Sequence, residues 1–191
     1  MKKFILSDEP EDFDEKVRQK GNQWLRKNPD KLPKDYWSIS NSDLAKRFDD
    51  LCSYAVMRIP SGNGTVDHYL SKKNYPHLAY EWSNYRHAFS RINGCKQNYD
   101  TRILDPFEVD EDWFEIILPS LQLVLTPLIP QEFRDRAKFT LKQLQLQDGD
   151  WILQQRQYYY DAYKEGNMTI LQLERDAPLL ARALKKQQGL P

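Results

Sequence analysis

The sequence TVDHYL, residues 65–70, predicts a short strand that delivers an aspartate and a histidine next to each other. A turn-forming segment of proline, serine, glycine and asparagine lies directly before it, at residues 60–64. The apolar run at residues 52–59 precedes that turn and also has strand character. The two runs therefore predict a hairpin that carries Asp67 and His68 on its second arm.

Two asparagines follow this hairpin at set distances along the chain. Asn84 lies sixteen positions after His68, and Asn93 lies nine positions after Asn84. The residues that follow Pro76 predict a loop leading into a helix over about 83–93. Strand, strand and helix in this order would carry all four polar residues.

The charge of the chain argues against a strongly basic nucleic-acid-binding protein. Its 191 residues contain 28 basic and 28 acidic side chains, so the formal net charge is zero. Because phosphate contacts depend on Lys and Arg, any nucleic-acid site must be a local patch. The length suits one domain, or one small domain with helical additions.

Cysteine usage and hydropathy favour a cytoplasmic protein. Cys52 and Cys95 are too few for a disulfide scaffold and form no C-x-x-C unit. They are typical of a reduced compartment. No apolar run is long enough to cross a bilayer and the start shows no signal peptide, so we expect no membrane association.

Helical patterns flank this region on both sides, which predicts an α+β fold. Apolar residues at three- to four-residue spacing predict one N-terminal helix over 12–27 and a second that carries Leu44, Phe48 and Leu51. A second β-hairpin is predicted around Pro119-Ser120, followed by three C-terminal helices over 131–146, 150–165 and 169–186. We expect three regions: N-terminal helices at 1–50, a strand-strand-helix core with the second hairpin at 51–130, and a C-terminal helical region at 131–191.

The Asp-His-Asn-Asn pattern resembles the site of the HNH, or ββα-metal, endonucleases. His68, Asn84 and Asn93 match the spacing of that family, and the order strand, turn, strand, helix matches its context. The segments 67–73, 75–76, 79–84, 93–96 and 104–107 resemble a bacterial branch of the family. The resemblance implies a ββα-metal (HNH) core and a divalent-metal-dependent hydrolysis of DNA.

The resemblance also implies a role for each residue of the pattern. Asp67 and Asn93 would hold a magnesium or manganese ion, since hard cations prefer oxygen ligands. His68 would activate water as a neutral imidazole, and Asn84 would hold the loop that carries His68. Because neighbouring strand residues point to opposite faces, the strand must end or bulge at Asp67-His68. Five basic residues would contact DNA phosphates: Lys72, Lys73, Arg86, Arg91 and Lys96.

Many proteins of this family bind a structural zinc ion, and this chain lacks the residues for it. Of the two cysteine pairs only Cys52 is present, because Ala55 stands at its partner position and Phe89 and Ile92 replace the second pair. One thiolate cannot build a tetrahedral site, so we expect no structural zinc. Leu70-Ser71 also replaces a proline of this branch, so the local loop geometry is expected to differ.

Three functions stay open from the sequence. The first is the nuclease component of a bacterial anti-phage defence system, with DNA as target and an ATPase encoded nearby as partner. The second is a decayed HNH scaffold that binds DNA or protein without cutting. The third is an adaptor whose leucine-rich C-terminal helices form a homo-oligomer or hold a partner. Plainer interpretations also stay open: Asp67 and His68 as a solvated strand end, Asn84 as a helix N-cap, and Asn93 as a helix C-terminal residue.

Overall fold

The computed structural model describes residues 2–6 and 8–189, which form two compact units. The pattern unit, which contains the Asp-His-Asn-Asn pattern, comprises Ile5–Cys52 and Ile59–Thr101. The C-terminal unit comprises Ser53–Arg58 and Arg102–Pro191, with the described residues up to Phe4. Both units contain helices and an antiparallel strand pair, so the predicted α+β fold class is confirmed.

One antiparallel strand pair forms the centre of the pattern unit. Strand β1 (Gly64–His68) pairs with β2 (Tyr85–Phe89), and helix α3 (Ser90–Lys96) follows β2 directly. The N-terminal helices are confirmed as α1 (Lys20–Lys27), which continues a π-helical segment at Asp14–Gln19, and α2 (Asn41–Arg47). Helix α2 packs on both strands and buries Leu44, while Phe48 and Leu51, which were expected on the same helix, are buried in the turn that follows it and so extend its apolar face. The burial of that face explains why so short a helix forms at all.

The two faces of the strand pair hold different parts of the pattern. Successive residues of a strand point to opposite faces, so Asp67 shares a face with Thr65, and His68 lies on the other. Helix α3 covers the Asp67 face, because its Asn93 and Lys96 reach Thr65 and Asp67. The pattern requires that the strand either end or bulge at Asp67-His68, and β1 ends at His68.

The prediction that residues 52–59 form the first strand of the hairpin is wrong. Residues 52–59 form turns rather than a regular strand, and β1 pairs with β2 instead. Val56 has a positive φ of 53°, and the Arg58 amide donates to the Asp176 carbonyl within the C-terminal unit. An apolar run without alternation is compatible with a strand or with irregular core, and its pattern cannot separate the two.

The predicted helix over 83–93 is also wrong in its first half. Trp82–Asn84 is a 3-10 turn, Tyr85–Phe89 is β2, and α3 begins only at Ser90. The pairing of β2 with β1 is a long-range contact that local helix signals do not contain. Asn84 therefore precedes a strand, and the interpretation of Asn84 as a helix N-cap is wrong.

The C-terminal unit contains the second hairpin and a helical region, both as predicted. Strands β3 (Phe114–Ile117) and β4 (Gln122–Leu125) are antiparallel, and the turn between them contains a cis Leu118-Pro119 bond. The helices that follow are α4 (Gln131–Gln143), α5 (Asp150–Lys164), α6 (Ile170–Asp176) and α7 (Pro178–Gln188). The helix predicted over 169–186 is thus two helices, because Pro178 lacks an amide donor and starts a new helix. Among the described residues, no helix has the length and apolarity needed to cross a membrane.

A buried arginine ties elements of the C-terminal unit together. Arg156 of α5 donates to the carbonyls of Leu121 at 2.9 Å, Leu146 at 2.8 Å and Gln147 at 3.3 Å. Burial lowers the pKa of Arg156 to about 10, so the guanidinium stays charged at neutral pH. The Gln147 carbonyl also accepts from the Leu123 amide at 3.1 Å, so the arginine mainly satisfies the carbonyls of Leu121 and Leu146.

Candidate functional site

A small cavity of about 70 Å³ lies at the end of β1. Three of the four pattern residues line it, namely Asp67, His68 and Asn93. Lys72 contributes to the rim, and the cavity has room for a few water molecules. The structure therefore brings the aspartate, the histidine and the second asparagine together, while Asn84 lies outside the lining.

Asp67 forms a buried ion pair with Lys96 of α3. Lys96 Nζ lies 3.1 Å from Asp67 Oδ1 and donates to the His68 carbonyl at 2.7 Å. The Lys96 side chain is fully buried and that of Asp67 is 2% exposed. Removing two charges from water costs several kcal/mol for each ion, and mutual attraction offsets this cost only in good geometry. The interpretation of Asp67 as part of a solvated strand end is therefore wrong.

The His68 imidazole is held between aromatic rings. Its ring centroid lies 4.6 Å from that of Trp37 and 5.1 Å from that of Tyr85, edge to face in both cases. Nε2 lies 2.9 Å from the Ala79 carbonyl, which can only accept, so Nε2 carries the proton and Nδ1 the lone pair. Burial outweighs this hydrogen bond and lowers the pKa of His68 to about 4. The ring is therefore neutral at pH 7, with Nδ1 as its basic nitrogen.

Asn84 clamps the loop between β1 and β2. Its Oδ1 accepts from the Leu70 amide at 2.8 Å, while Nδ2 donates to the carbonyls of Leu70 at 2.9 Å and Leu78 at 3.1 Å. Leu78 directly precedes Ala79, whose carbonyl holds the His68 ring. Asn84 thus has the position that its expected organising role requires.

Asn93 reaches β1 from the middle of α3. Its Nδ2 lies 3.3 Å from Thr65 Oγ1 and 3.4 Å from the Val66 carbonyl. Within the part of the chain that the structure describes, Asn93 Oδ1 accepts no hydrogen bond. This amide oxygen is therefore the atom of Asn93 that is available as a ligand.

The donor set at the cavity fits a small, hard cation that keeps several water molecules. The carboxylate of Asp67 and the amide oxygen of Asn93 are the oxygen donors that magnesium prefers. Residues 2–6 and 8–189 contain no group of three or more His, Cys, Asp or Glu side chains placed to hold a metal ion. Water and substrate phosphate would therefore have to complete the coordination shell.

The five expected phosphate contacts divide into accessible and buried residues. Lys73 and Arg91 are exposed, and Lys72 is half-buried at the cavity. Lys96 is buried in its ion pair, and Arg86 is buried with Nη1 donating to two backbone carbonyls at 2.7 and 2.9 Å. The prediction of a phosphate contact is therefore wrong for Lys96 and Arg86, because neither cation reaches the surface.

Two supporting residues could not be found from the sequence. Trp37 packs against the ring of His68 from a proline-containing loop that gives no local signal of this contact. Asp100 accepts from the Ser71 amide and from Asn74 Nδ2, both at 2.6 Å, and so fixes the loop beside the cavity. Asp100 has a φ of 45°, a conformation that Asp adopts more readily than most residues. Its neighbourhood in the sequence contains no motif that marks it.

The chemistry of the site is inferred from its geometry. A carboxylate, a neutral imidazole and an amide oxygen meet at one cavity with a lysine at its rim. Compared with protein-family models, with curated proteins and with solved structures, the chain matches none.

Proposed function

We propose that this protein is a metal-dependent endonuclease of the HNH type that hydrolyses DNA phosphodiester bonds. The observation that carries the proposal is the cavity at the end of β1, which Asp67, His68 and Asn93 line together. The order β1, β2, α3 agrees with the core that the resemblance implies. Phosphodiester hydrolysis needs a base for water and positive charge for phosphate, and this cavity offers groups for both.

In this proposal His68 accepts the proton of the attacking water at Nδ1. The hydrogen bond from Nε2 to the Ala79 carbonyl fixes the tautomer and the direction of the ring. Asn84 fixes the same loop through Leu70 and Leu78. A magnesium or manganese ion held by Asp67 and Asn93 would supply positive charge to the phosphate oxygens. Lys72 would add an ammonium group at the rim.

Removal of the His68 imidazole tests this proposal. The purified protein is expected to nick supercoiled plasmid in the presence of Mg²⁺ or Mn²⁺, and His68→Ala is expected to reduce the rate roughly 10²- to 10⁴-fold, the usual contribution of a general base. Conversion of supercoiled to relaxed plasmid measures the rate. His77→Ala is the matched control, because His77 is an exposed histidine of the same unit. Equal nicking by His68→Ala and the wild type would contradict the proposal.

A scaffold that binds DNA or a protein without cutting is the second candidate, and Lys96 favours it. Asp67 is the one carboxylate among the described residues that line the cavity. The Lys96 ammonium already neutralises it, which weakens its attraction for a metal ion. Calorimetric titration with Mn²⁺ is expected to show heat that Asp67→Asn abolishes if the site is a nuclease site. The scaffold would be supported if the protein bound DNA without nicking it. This result would have to hold for the protein alone and for the protein with the ATPase encoded nearby that the defence setting would supply.

A further inference from the structure

The charges of the pattern unit are segregated along its chain. Residues 8–15 contain six carboxylates and no cation, whereas residues 20–34 contain five cations and one carboxylate. A unit that is neutral overall can present a local basic patch when its charges are arranged in this way. The five cations are Lys20, Arg26, Lys27, Lys31 and Lys34.

These cations also differ from other basic residues of the unit in what they contact. Lys16, Arg18, Lys46 and Lys96 each form an ion pair with a carboxylate. Within residues 2–6 and 8–189, none of the five cations at 20–34 has a carboxylate partner. Within the part of the chain that the structure describes, no ion pair offsets their charges.

Aromatic rings hold two of these lysines in place. Lys34 Nζ lies 5.5 Å from the ring centroid of Trp24 and 5.5 Å from that of Tyr36, and Lys31 Nζ lies 5.8 Å from Trp24. The Trp24 indole is itself fixed by a hydrogen bond of 3.3 Å to the Leu32 carbonyl. Ammonium groups over aromatic faces are attracted by the ring quadrupole, which restricts long lysine side chains.

The same chain of contacts leads to the cavity. The Tyr36 ring lies 6.2 Å from the ring of Tyr80, and Tyr80 lies 6.0 Å from Trp37. Trp37 packs on His68, and Lys72 Nζ lies 5.0 Å from the Trp37 ring. Contacts between cations and rings therefore run from Lys31 to the cavity, through the buried ring of Tyr80.

We propose that Lys31, Lys34 and Lys72, with the rings of Trp24, Tyr36 and Trp37, form a binding track for the phosphate backbone of DNA. Phosphate is the partner that suits the track, because its cations are exposed or half-buried and form no ion pair with a carboxylate within residues 2–6 and 8–189. The carboxylates nearby are Asp30 and Asp35, and Asp35 accepts from the Ser38 amide and hydroxyl. The inference rests on the proposed function, since the track would deliver a phosphodiester to the cavity.

Binding without cleavage tests the track. The affinity of the full chain for a short fluorescein-labelled DNA duplex is measured by anisotropy in EDTA over a range of salt concentrations. Lys31→Gln/Lys34→Gln is expected to weaken binding roughly tenfold at low salt and to reduce the slope of log K against log salt by about 2, because each lost phosphate contact removes about 0.9. Trp24→Ala is expected to weaken binding although it removes no charge, and Trp24→Phe to restore most of it.

A matched pair of lysines provides the control. Lys142 and Lys164 are exposed residues of the C-terminal unit, and Lys142→Gln/Lys164→Gln is expected to bind as the wild type does. Circular dichroism confirms the fold of each variant. Unchanged binding by Lys31→Gln/Lys34→Gln would overturn the track, as would an equal loss in the control pair. The track would also be overturned if binding to phosphatidylserine vesicles depended on these lysines and binding to DNA did not.

The same measurements separate the track from the proposed hydrolysis. Binding that depends on Lys31 and Lys34 without any nicking would support the track and contradict the nuclease. Nicking that depends on His68, with binding that does not depend on these lysines, would support the nuclease and overturn the track.

Discussion

At the scale of single residues, the candidate site is an assembly of buried polar groups that satisfy one another. Lys96 contacts both Asp67 and the His68 carbonyl, and Asn84 satisfies three backbone groups of the adjoining loop. An unpaired polar group in such a place costs more than its hydrogen bond returns. The network therefore fixes the conformation at the end of β1 whether or not an ion binds there.

The buried histidines predict a loss of stability in mild acid. Burial lowers the pKa of His68 from 6.5 to about 4 and also lowers that of His87. Between these values the unfolded chain binds more protons than the folded chain, so stability is full above about pH 6.5 and falls as the pH drops toward 4. For His68 alone the loss approaches about 3 kcal/mol, at 1.36 kcal/mol for each unit of pKa. Urea unfolding in EDTA at several pH values measures it.

Variants of single histidines separate this effect from general acid denaturation. His77→Ala is expected to show the full decline between pH 6.5 and 4.5, because His77 is exposed. His68→Ala is expected to show a smaller decline, whatever its stability at pH 7. The acidic residues with lowered pKa, Glu9, Asp12 and Asp14, lose their contribution only below about pH 4.5. Parallel curves for the two variants would contradict the assignment of the decline to His68.

At the scale of elements, the packing of α1 depends on a glycine. A Cβ added at Gly21 would lie 2.2 Å from Tyr80 Cγ, and Tyr80 is fully buried. Gly21→Ala is therefore expected to destabilise the protein by about 1–3 kcal/mol, since ring and helix must move apart. Urea unfolding followed by circular dichroism measures the change.

Gly94 in α3 is the matched control for this prediction. A Cβ added there would meet nothing within 4 Å. Gly94→Ala is expected to stabilise by up to about 1 kcal/mol, because alanine is the better helix former. The two substitutions are identical in chemistry and opposite in expected sign. Stabilisation by Gly21→Ala would show that α1 does not pack on Tyr80 as described.

The elements also show which parts of the fold local sequence can predict. The amphipathic N-terminal helices, the second hairpin and the C-terminal helices follow from periodicity and turn residues within each segment. The pairing of β1 with β2 does not, because the partner strand lies beyond a loop and its residues have no strict alternation. Gly64 illustrates the difference. Its sequence context predicts a turn, but in the structure it belongs to β1 and its missing side chain lets His87 pack against the strand. A Cβ added at Gly64 would lie 1.9 Å from Nε2 of His87.

The candidate site was predictable only in its residue types and spacing. Asp67, His68 and Asn93 line one cavity because β1 and α3 meet, and the spacing anticipates that meeting. Lys96 is buried because α3 brings it to Asp67 and the His68 carbonyl, and Arg86 is buried over the ring of Tyr69, so a count of nearby basic residues could not reveal either. The contact between the rings of Trp37 and His68 also joins residues far apart in the sequence, so local patterns could not reveal it.

At the scale of the whole molecule, overall neutrality conceals local charge. The 28 basic and 28 acidic residues cancel in the sum, but the six carboxylates of 8–15 and the five cations of 20–34 are separate in the chain. A molecule of this kind is repelled little by a second copy, and the proposed track would attract DNA to the pattern unit. Weak, salt-sensitive DNA binding is the expected behaviour, rather than the tight grip of a basic protein.

The leucine-rich C-terminal helices suggest a homo-oligomer from sequence, but their apolar faces are used within the chain. Most of these leucines are 5% exposed or less, among them Leu141, Leu144, Leu173, Leu179, Leu180 and Leu184. A face already buried cannot supply the apolar area that a stable dimer interface requires. Only interfaces above roughly 1,000 Å² hold dimers firmly, so we expect a monomer of 22.8 kDa. Size-exclusion chromatography with light scattering, at concentrations up to about 100 μM, measures the molecular mass.

A dimer would contradict this prediction and would point to the remaining apolar surface of the C-terminal unit. Ile117 and Leu128 are 41% and 68% exposed, and both line a groove beside α7. Leu128→Glu would place a charge in that groove and should dissociate a dimer formed there, because an unpaired charge is costly to bury. A dimer that persists in Leu128→Glu would have to use a different surface, for example the exposed side chains of Tyr158 and Leu171.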